Sequence, residues 1–328
     1  MSWRETLLAQ RLGLRVPIVQ APMAGASTPK LAAAVSEAGG LGSIAGAMLS
    51  PDALREAIRA VRDATSGPFA VNVFAPLPPP STDRLEEWAR LTGADVPEPR
   101  PVPRYDDQLQ VVVEERVPVL SFTFGIPDLQ GVDAVTVGTA TTVEEAIALE
   151  RAGVDAIAVQ GYEAGGHRGT FLAPVDRSLV GTIVLVPQVI DAVTVPVIAA
   201  GGIMDGRGIA AALALGADAA QLGSAFLRAD EAATGPEFRA ALGQSTVVTR
   251  VLTGRYARAI RTPTVDALEA SGVEPPDYPL PRGFLPGAPW LAGQGSAAAR
   301  SLPAGELVEQ LTAETDEAIR RLAKNARP

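Results

Sequence analysis

The chain has 328 residues, of which 47% are hydrophobic and 20% charged, a composition typical of a globular protein and not of a disordered one. Its formal charge of −9 argues against nucleic acid or an anionic membrane surface as a partner. With no cysteine and one histidine, disulfides, thiolate metal sites and cysteine nucleophiles are excluded, a zinc or copper site is not expected, and no metal is assigned.

The N-terminal segment MSWRETLLAQRLG does not have the long apolar core of a secretory signal peptide, because Glu5 and Arg11 interrupt it. The sequence also contains no run of about 18 uncharged apolar residues, the length that a membrane-spanning helix needs. We therefore expect a soluble, cytoplasmic protein with no membrane partner.

The first part of the chain alternates short apolar strands with helices. We predict strands at residues 15–20, 41–45 and 69–74. Between them, Ser27 or Thr28 can cap a helix over residues 29–38, and Ser50 can cap a helix over residues 51–64, each with proline in its first position. Strands and helices that alternate with such short links indicate a parallel sheet.

Residues 75–105 interrupt the alternation with PLPPP, a charged helical segment near residues 83–91, and PEPRPVP. We interpret them as an insertion that covers the site, contacts another subunit or lies solvated on the surface. The alternation then resumes. Further strands are predicted at 117–121, 132–137, 154–160, 195–200 and 217–222, and helices at 105–115, 141–152, 181–193 and 206–215, with another opening at 225–229.

Eight β–α units in a chain of this length predict an α/β fold, the (β/α)8 TIM barrel. A doubly wound open sheet is the alternative, but no G-x-G-x-x-G follows the first strand, as a dinucleotide-binding half would need. The pattern loosens beyond residue 247, although residues 302–323 predict a helix. We interpret residues 1–328 as one domain whose C-terminal extension, 247–328, packs on the barrel, because Trp290 and several leucines need burial.

The residues that follow the strands are the candidates for an active site, because barrels of this kind place it at the C-terminal ends of the strands. The first predicted strand is followed by Ala21, Pro22, Met23 and Ala24, the seventh by Gly201 and Gly202, and the eighth ends in Gln221, Leu222, Gly223 and Ser224. Loops after the last two strands commonly bind phosphate through backbone N–H groups. We predict a phosphate site there; the alternative is that the glycines only permit tight turns.

Two amides and the histidine complete the candidates. Asn72 and Gln160 lie inside otherwise apolar strands, where an unpartnered amide costs about 1–3 kcal/mol. Amides donate and accept hydrogen bonds, which suits a heteroaromatic ring such as the pyrimidine of a flavin; a hydrogen bond to a neighbouring strand is the alternative. Gln160 leads into a loop with Gly165, Gly166 and His167. This arrangement indicates a site, although an ordinary hydrogen-bonded histidine would also fit.

Several segments together resemble one family, the FMN-dependent nitronate monooxygenases, formerly called 2-nitropropane dioxygenases. The segments are PIVQAPMAG, AGGLGSIA, FAVNVF, VQGYEAGGHRGTF, PVIAAGGIMDGRGIAAALALGADAAQLGSAF and WLAGQG, and they span nearly the whole chain. The resemblance implies an FMN-binding barrel. Its flavin contacts would fall on Met23, Asn72, Gln160, Gly165, Gly202 and Gln221 through Ser224.

The resemblance also implies a reaction. His167 would face the reactive side of the flavin and act as a base on a neutral nitroalkane or as an electrostatic partner of a nitronate. An alkyl nitronate, such as propionate 3-nitronate, would give one electron to FMN, and O2 would complete its oxidation to a carbonyl compound and nitrite or nitrate. Arg168, Tyr256 and Gln294 are further candidates for the substrate side.

Other functions are compatible with the same residues. Within the superfamily, the alternative is a flavin-dependent NAD(P)H reductase acting on quinones or on enoyl-acyl-carrier-protein. Outside it, the alternatives are a phosphate-binding lyase or isomerase without flavin and a flavin-binding protein without catalytic activity. The expected partners are a small-molecule nitronate and O2, and a homodimer is compatible with the sequence.

Overall fold

The computed structural model describes residues 2–98 and 102–325, so residues 99–101 of the predicted insertion and 326–328 of the extension lie outside the described residues. In chain order, the strands are β1 (Ile18–Gln20), β2 (Gly42–Ala45), β3 (Phe69–Phe74), β4 (Val119–Thr123), β5 (Val135–Ala140), β6 (Ala156–Gln160), β7 (Gly166–His167), β8 (Val197–Ala200), β9 (Ala219–Leu222), β10 (Thr246–Thr249) and β11 (Ala257–Ile260). The helices are α1 (Leu7–Leu12), α2 (Pro29–Glu37), α3 (Pro51–Ala64), α4 (Leu85–Thr92), α5 (Tyr105–Glu114), α6 (Val143–Arg151), α7 (Thr182–Ile190), α8 (Gly206–Ala214), α9 (Pro236–Ala241), α10 (Pro263–Ala270) and α11 (Ala304–Asn325).

Eight of the strands form one parallel sheet in the order β1-β9-β8-β6-β5-β4-β3-β2. Its two edges are joined by a parallel bridge between Val19 and Leu41, supported by a 2.9 Å hydrogen bond from the N–H of Gln20 to the carbonyl of Leu41. Helices connect the successive barrel strands, except that a loop joins β4 directly to β5. The predicted (β/α)8 barrel is therefore confirmed, and the open doubly wound sheet is wrong.

The helices begin where the sequence indicates. The hydroxyl of Thr28 accepts from the N–H of Leu31, and that of Ser50 from the N–H of Ala53. The hydroxyl of Thr142, which precedes α6, accepts from the N–H of Glu145. In each case the side chain satisfies a backbone donor that the first turn leaves free.

Most predicted elements differ from the observed ones only at their ends, but three differ in position or type. β4 and β5 lie two and three residues later than predicted, where the hydroxyls of Thr123 and Thr139 approach to 3.3 Å. The helix predicted at 225–229 is a short 3-10 turn, Ser224–Phe226. After this turn, the guanidinium of Arg239 donates to the carbonyls of Arg228, Ala229 and Ala232.

The N-terminal end of the barrel is closed by α1. Leu8, Ala9 and Leu14 pack against side chains at the beginnings of the strands. These are Val19, Leu41, Ala70, Val119, Val137, Ala156, Ile198 and Ala219, one for each barrel strand. Because α1 covers this end, the interior opens toward solvent only at the C-terminal ends of the strands.

The predicted insertion and extension pack against each other on top of the barrel. In the part of the insertion that the structure describes, Trp88 of α4 is fully buried in a cluster with Val251, Leu252, Val265 and Phe284 of the extension. The extension also forms an antiparallel sheet in the order β10-β11-β7. Thus the extension pairs directly with the loop that carries His167. Across the described ranges, no helix has the length and apolar character needed to span a membrane.

Candidate active site

A cavity of about 240 Å³ lies at the C-terminal ends of the barrel strands and beneath the extension. Nearly all the predicted site residues line it: Ala21, Pro22, Met23, Ala24, Asn72, Gln160, Gly165, Gly166, His167, Gly201, Gly202, Gln221, Gly223 and Ser224. The rule that barrels place their sites at strand ends therefore selected residues that the fold brings together. Among the described residues, no group of three or more His, Cys, Asp or Glu side chains could hold a metal ion.

Leu222 is the one predicted site residue outside the cavity lining. Its side chain is fully buried in the hydrophobic core, and its carbonyl accepts a 2.8 Å hydrogen bond from the N–H of Ala21. Successive side chains in a strand point to opposite faces. Gln221 therefore faces the cavity, while the side chain of Leu222 packs toward the surrounding helices. The side chain of Leu222 is thus not available for the predicted contact with a cofactor.

The amides at the strand ends have different partners. The side chain of Gln160 donates to the carbonyl of His167 (2.9 Å) and accepts from the N–H of Gly169 (2.9 Å), so it fixes the histidine loop. Asn72 donates to the hydroxyl of Ser121 (3.1 Å), which leaves its carbonyl oxygen available. The amide of Gln221 has no protein partner in the described ranges. The alternative, a hydrogen bond to a neighbouring strand, is thus present for Asn72, whose partner lies on β4, whereas Gln160 bonds to the histidine loop. The carbonyl oxygen of Asn72 and the amide of Gln221 remain available at the cavity.

The loops after β8 and β9, where the sequence predicts an anion site, form a cup of glycine-rich backbone at the cavity. Gly201 and Gly202 have φ values of 125° and 70°, which side chains rarely adopt. The backbone N–H groups of Gly202, Gly223 and Ser224 have no acceptor in the part of the chain that the structure describes. The hydroxyl of Ser224 accepts a 2.8 Å hydrogen bond from the N–H of Gly293, so the extension closes over this cup.

His167 is held at the cavity by its backbone and by its ring. In the small sheet, it pairs with Ala257 of β11. Its Nε2 lies 3.0 Å from the hydroxyl oxygen of Thr253, and the rings of Phe124 and Tyr278 stand edge-on at centroid distances of 5.9 and 5.2 Å. Three elements distant in sequence therefore fix one imidazole.

The electrostatic environment keeps this imidazole neutral. Burial of the ring, followed by the positive charges of Arg255 and Arg282, lowers the pKa of His167 to about 3. Arg255 lies over the ring of Phe124, with its guanidinium carbon 3.8 Å from the centroid, and donates to the carbonyl of Thr170 (2.6 Å). Arg282 lines the cavity and has no carboxylate partner in the described ranges. The site thus combines an uncharged imidazole with a guanidinium that has no carboxylate partner in the described ranges.

Three polar cavity residues of the extension were not predicted from the sequence: Thr253, Tyr278 and Arg282. The Pro- and Gly-rich stretch and the WLAGQG motif were the available signals, and Gly293 and Gly295 of that motif do line the cavity.

The three further candidates for the substrate side lie elsewhere. Arg168 is fully buried, and its guanidinium donates to the carbonyls of Gly161, Gln160 and Ser178. Arg168 thus supports the end of β6. The side chain of Tyr256 is exposed, and neither Tyr256 nor Gln294 lines the cavity.

The residues present fit a flavin mononucleotide. For a pyrimidine ring, the side-chain carbonyl of Asn72 supplies a hydrogen-bond acceptor, and the amide of Gln221 supplies both a donor and an acceptor. The free backbone N–H groups after β8 and β9 suit a terminal phosphate. Met23 and Ala24 add apolar surface from the loop after β1.

The family model and the curated relatives identify one family, and solved structures under two different names share the fold. The family model described as nitronate monooxygenase matches residues 5–314. A probable nitronate monooxygenase of Staphylococcus aureus (strain Newman) is 41% identical over 299 residues, which covers 85% of this chain and 84% of the relative. A solved nitroalkane oxidase from Streptomyces ansochromogenes is 41% identical with a TM-score of 0.88, covering 96% of this chain and 99% of that one. FabK from Thermotoga maritima is 33% identical with a TM-score of 0.75, covering 98% and 99%.

Proposed function

Since the chain belongs to the nitronate monooxygenase family and is a flavin-dependent oxidoreductase, we propose that it binds FMN and oxidises alkyl nitronates such as propionate 3-nitronate. The products would be a carbonyl compound and nitrite or nitrate. The bound flavin would supply the electron acceptor for the nitronate and the route to O2. A relative of similar fold is named nitroalkane oxidase, which supports a nitro compound as the substrate.

The observation that carries the proposal is that His167 and Arg282 line the same cavity. A neutral imidazole has a lone pair that can accept a proton from the carbon next to a nitro group. Loss of that proton leaves a negative charge on the nitro oxygens, and Arg282 supplies a cation that has no other partner in the described chain. A nitronate is already deprotonated, so it needs only the cation.

The low pKa of His167 makes it a weak base, and this predicts which class of substrate is turned over faster. A weaker base gives proton abstraction a smaller driving force. We therefore expect turnover of a nitronate to exceed turnover of the corresponding neutral nitroalkane. Phe124 and Tyr278 stand edge-on to the imidazole and Phe74 packs against both of these rings, so one side of the base is apolar.

The test uses the protein reconstituted with FMN and mixed anaerobically with propionate 3-nitronate, with propyl-1-nitronate or with NADH, while the flavin absorption is followed. We expect the nitronates to change the flavin spectrum and, once air is admitted, to consume oxygen. Rapid reduction by NADH with no response to either nitronate would instead establish the NAD(P)H reductase. Protein that remains colourless after incubation with FMN would contradict the cofactor assignment, and extraction of the bound cofactor distinguishes FMN from FAD.

A further inference from the structure

We infer that Thr253 fixes the tautomer of His167, so that the imidazole carries its proton on Nε2 and presents the bare Nδ1 to the cavity. Thr253 is thereby a positioning residue for the base. The catalytic part of this inference rests on the proposed function, whereas the position of the proton does not.

The inference follows from counting the protons around one oxygen. The hydroxyl oxygen of Thr253 lies 2.9 Å from the carbonyl oxygen of Arg255 and 3.0 Å from Nε2 of His167. A carbonyl only accepts, so the single hydroxyl proton of Thr253 lies between the two oxygens. The same hydroxyl cannot also donate to His167. Its oxygen has two lone pairs and accepts one long hydrogen bond from the N–H of Arg255 (3.4 Å), which leaves a lone pair for a second donor. The contact with Nε2 is therefore a hydrogen bond only if the imidazole donates, which assigns the ring proton to Nε2.

Nδ1 is then the nitrogen with the lone pair. It has no hydrogen-bond partner within the described ranges, and it is not among the enclosed side-chain atoms that lack one. His167 lines the cavity. A bare, accessible ring nitrogen is what a base needs, whereas a ring with its proton on Nδ1 would offer a donor to the substrate.

Thr253 is held rigidly enough to make this choice. Its side chain is fully buried, and it lies in a turn in which the N–H groups of Thr253 and Gly254 both donate to the carbonyl of Arg250, at 3.2 and 2.7 Å. Gly254 has a φ of 84°, and a Cβ there would lie 2.5 Å from the backbone of residues 276–278. The turn is thus packed against the segment that carries Tyr278, on the other side of the imidazole.

Removal of the hydroxyl should move the proton. Without an acceptor, the Nε2–H of the imidazole would lose its hydrogen bond, which is unfavourable for an enclosed donor. A proton on Nδ1 reaches the cavity and avoids that cost. In Thr253→Val, which keeps the shape of the side chain, we therefore expect a shift toward the Nδ1–H tautomer, and in Thr253→Ser, which keeps the hydroxyl, we expect none.

The tautomer can be read directly because His167 is the only histidine. In FMN-loaded protein labelled with ¹⁵N-histidine, two-bond ¹H–¹⁵N correlations at pH 7 distinguish the protonated from the bare nitrogen of a single ring. We expect a protonated Nε2 in the wild type and in Thr253→Ser. A wild-type ring with its proton on Nδ1 would overturn the inference, and so would Thr253→Val with the wild-type pattern. If Thr253→Val does not fold, the wild-type spectrum alone still decides the position of the proton.

Turnover separates this inference from the proposed function. With a neutral nitroalkane, Thr253→Val should lose at least about tenfold in kcat with KM little changed, while Thr253→Ser stays within about threefold of the wild type. Turnover of a nitronate, which needs no proton abstraction, should fall less. Equal losses for both substrates would show that Thr253 acts only through packing. No turnover of either substrate by the wild type, with the expected tautomer, would instead contradict the proposed function and leave the proton assignment intact.

Discussion

At the scale of the residue, the burial of His167 makes the stability of the protein depend on pH. In the unfolded chain a histidine has a pKa of about 6.5, whereas the native environment lowers the pKa of His167 to about 3. Between these values the unfolded state binds more protons than the native state. The free energy of unfolding therefore falls as the pH falls through this window.

His167→Gln should remove this dependence. Between pH 7 and pH 5, the wild type should lose about 2 kcal/mol more of its free energy of unfolding than the variant does, as measured by urea denaturation at each pH. The comparison cancels the carboxyl groups that both proteins share. Equal losses in the two proteins would mean that native His167 titrates near the ordinary histidine pKa.

Arg282 should determine how strongly anionic substrates bind. It is the guanidinium that lines the cavity, and no carboxylate neutralises it within the described ranges. In Arg282→Gln we expect KM to rise about tenfold for propionate 3-nitronate, which carries two negative charges, and less for propyl-1-nitronate, with kcat changed less than KM.

The matched control for Arg282 is Arg261→Gln. Arg261 belongs to the same extension, but its exposed side chain pairs with Asp266 (2.6 Å) and does not line the cavity. Its kinetics should match those of the wild type. The same increase in KM in both variants would assign the effect to net charge and not to a contact at the site.

The sequence could identify some of these residues and not others. His167, Asn72 and Gln221 stand at or near the ends of strands, where a position rule applies. Thr253 and Arg282 follow no strand of the barrel. Their place depends on the pairing of β11 with β7, and local periodicity carries no information about a pairing between segments so far apart in the chain.

Among the helices, α1 contributes to the stability of the fold but does not line the cavity. Leu8 is fully buried against the barrel interior, while its neighbour Leu7 is 70% exposed. Leu8→Ala should lower the free energy of unfolding by about 2–5 kcal/mol through lost contacts and a cavity, whereas Leu7→Ala should change it by less than about 0.5 kcal/mol.

Because α1 lies at the opposite end of the barrel, both leucine variants should retain flavin. The measurements are urea denaturation and the ratio of flavin to protein absorbance. A loss of flavin in Leu8→Ala under native conditions would show that the two ends of the barrel are coupled.

The elements themselves were largely readable from the sequence. α3 has the predicted bounds because Ser50 and Pro51 define its start and its apolar residues recur with the helical period. β4 and β5 were predicted too early, because apolar residues also precede the true strands and only the contact between neighbouring strands sets the register. β10 and β11 were missed, because each is short and the buried arginine in β11, Arg258, breaks the apolar pattern.

For the protein as a whole, the charges that act on His167 are opposite in sign to the net charge. The formal net charge is −9, yet the charged groups that lower the pKa of His167 are the cations Arg255 and Arg282. Among the described residues, the one carboxylate that lines the cavity, Glu163, accepts hydrogen bonds from the N–H and the hydroxyl of Thr182. An anion is therefore repelled by the net charge of the protein and attracted by the two arginines near His167. Salt screens the repulsion more strongly, because the repulsion acts over longer distances. The composition predicts the negative net charge, but it cannot predict that two cations lie near His167.

The pairing of the extension with the histidine loop also determines when the site can exist during synthesis. The barrel strands are complete at Leu222, but Thr253, Tyr278, Arg282 and Gly293 still have to emerge from the ribosome before the cavity has its walls. A nascent chain that has already closed its barrel therefore has neither the partner for its imidazole nor the cover over its anion cup. A chain that ends before Gly293 therefore lacks residues that complete the cavity, and we expect it to bind the cofactor less well than the full chain.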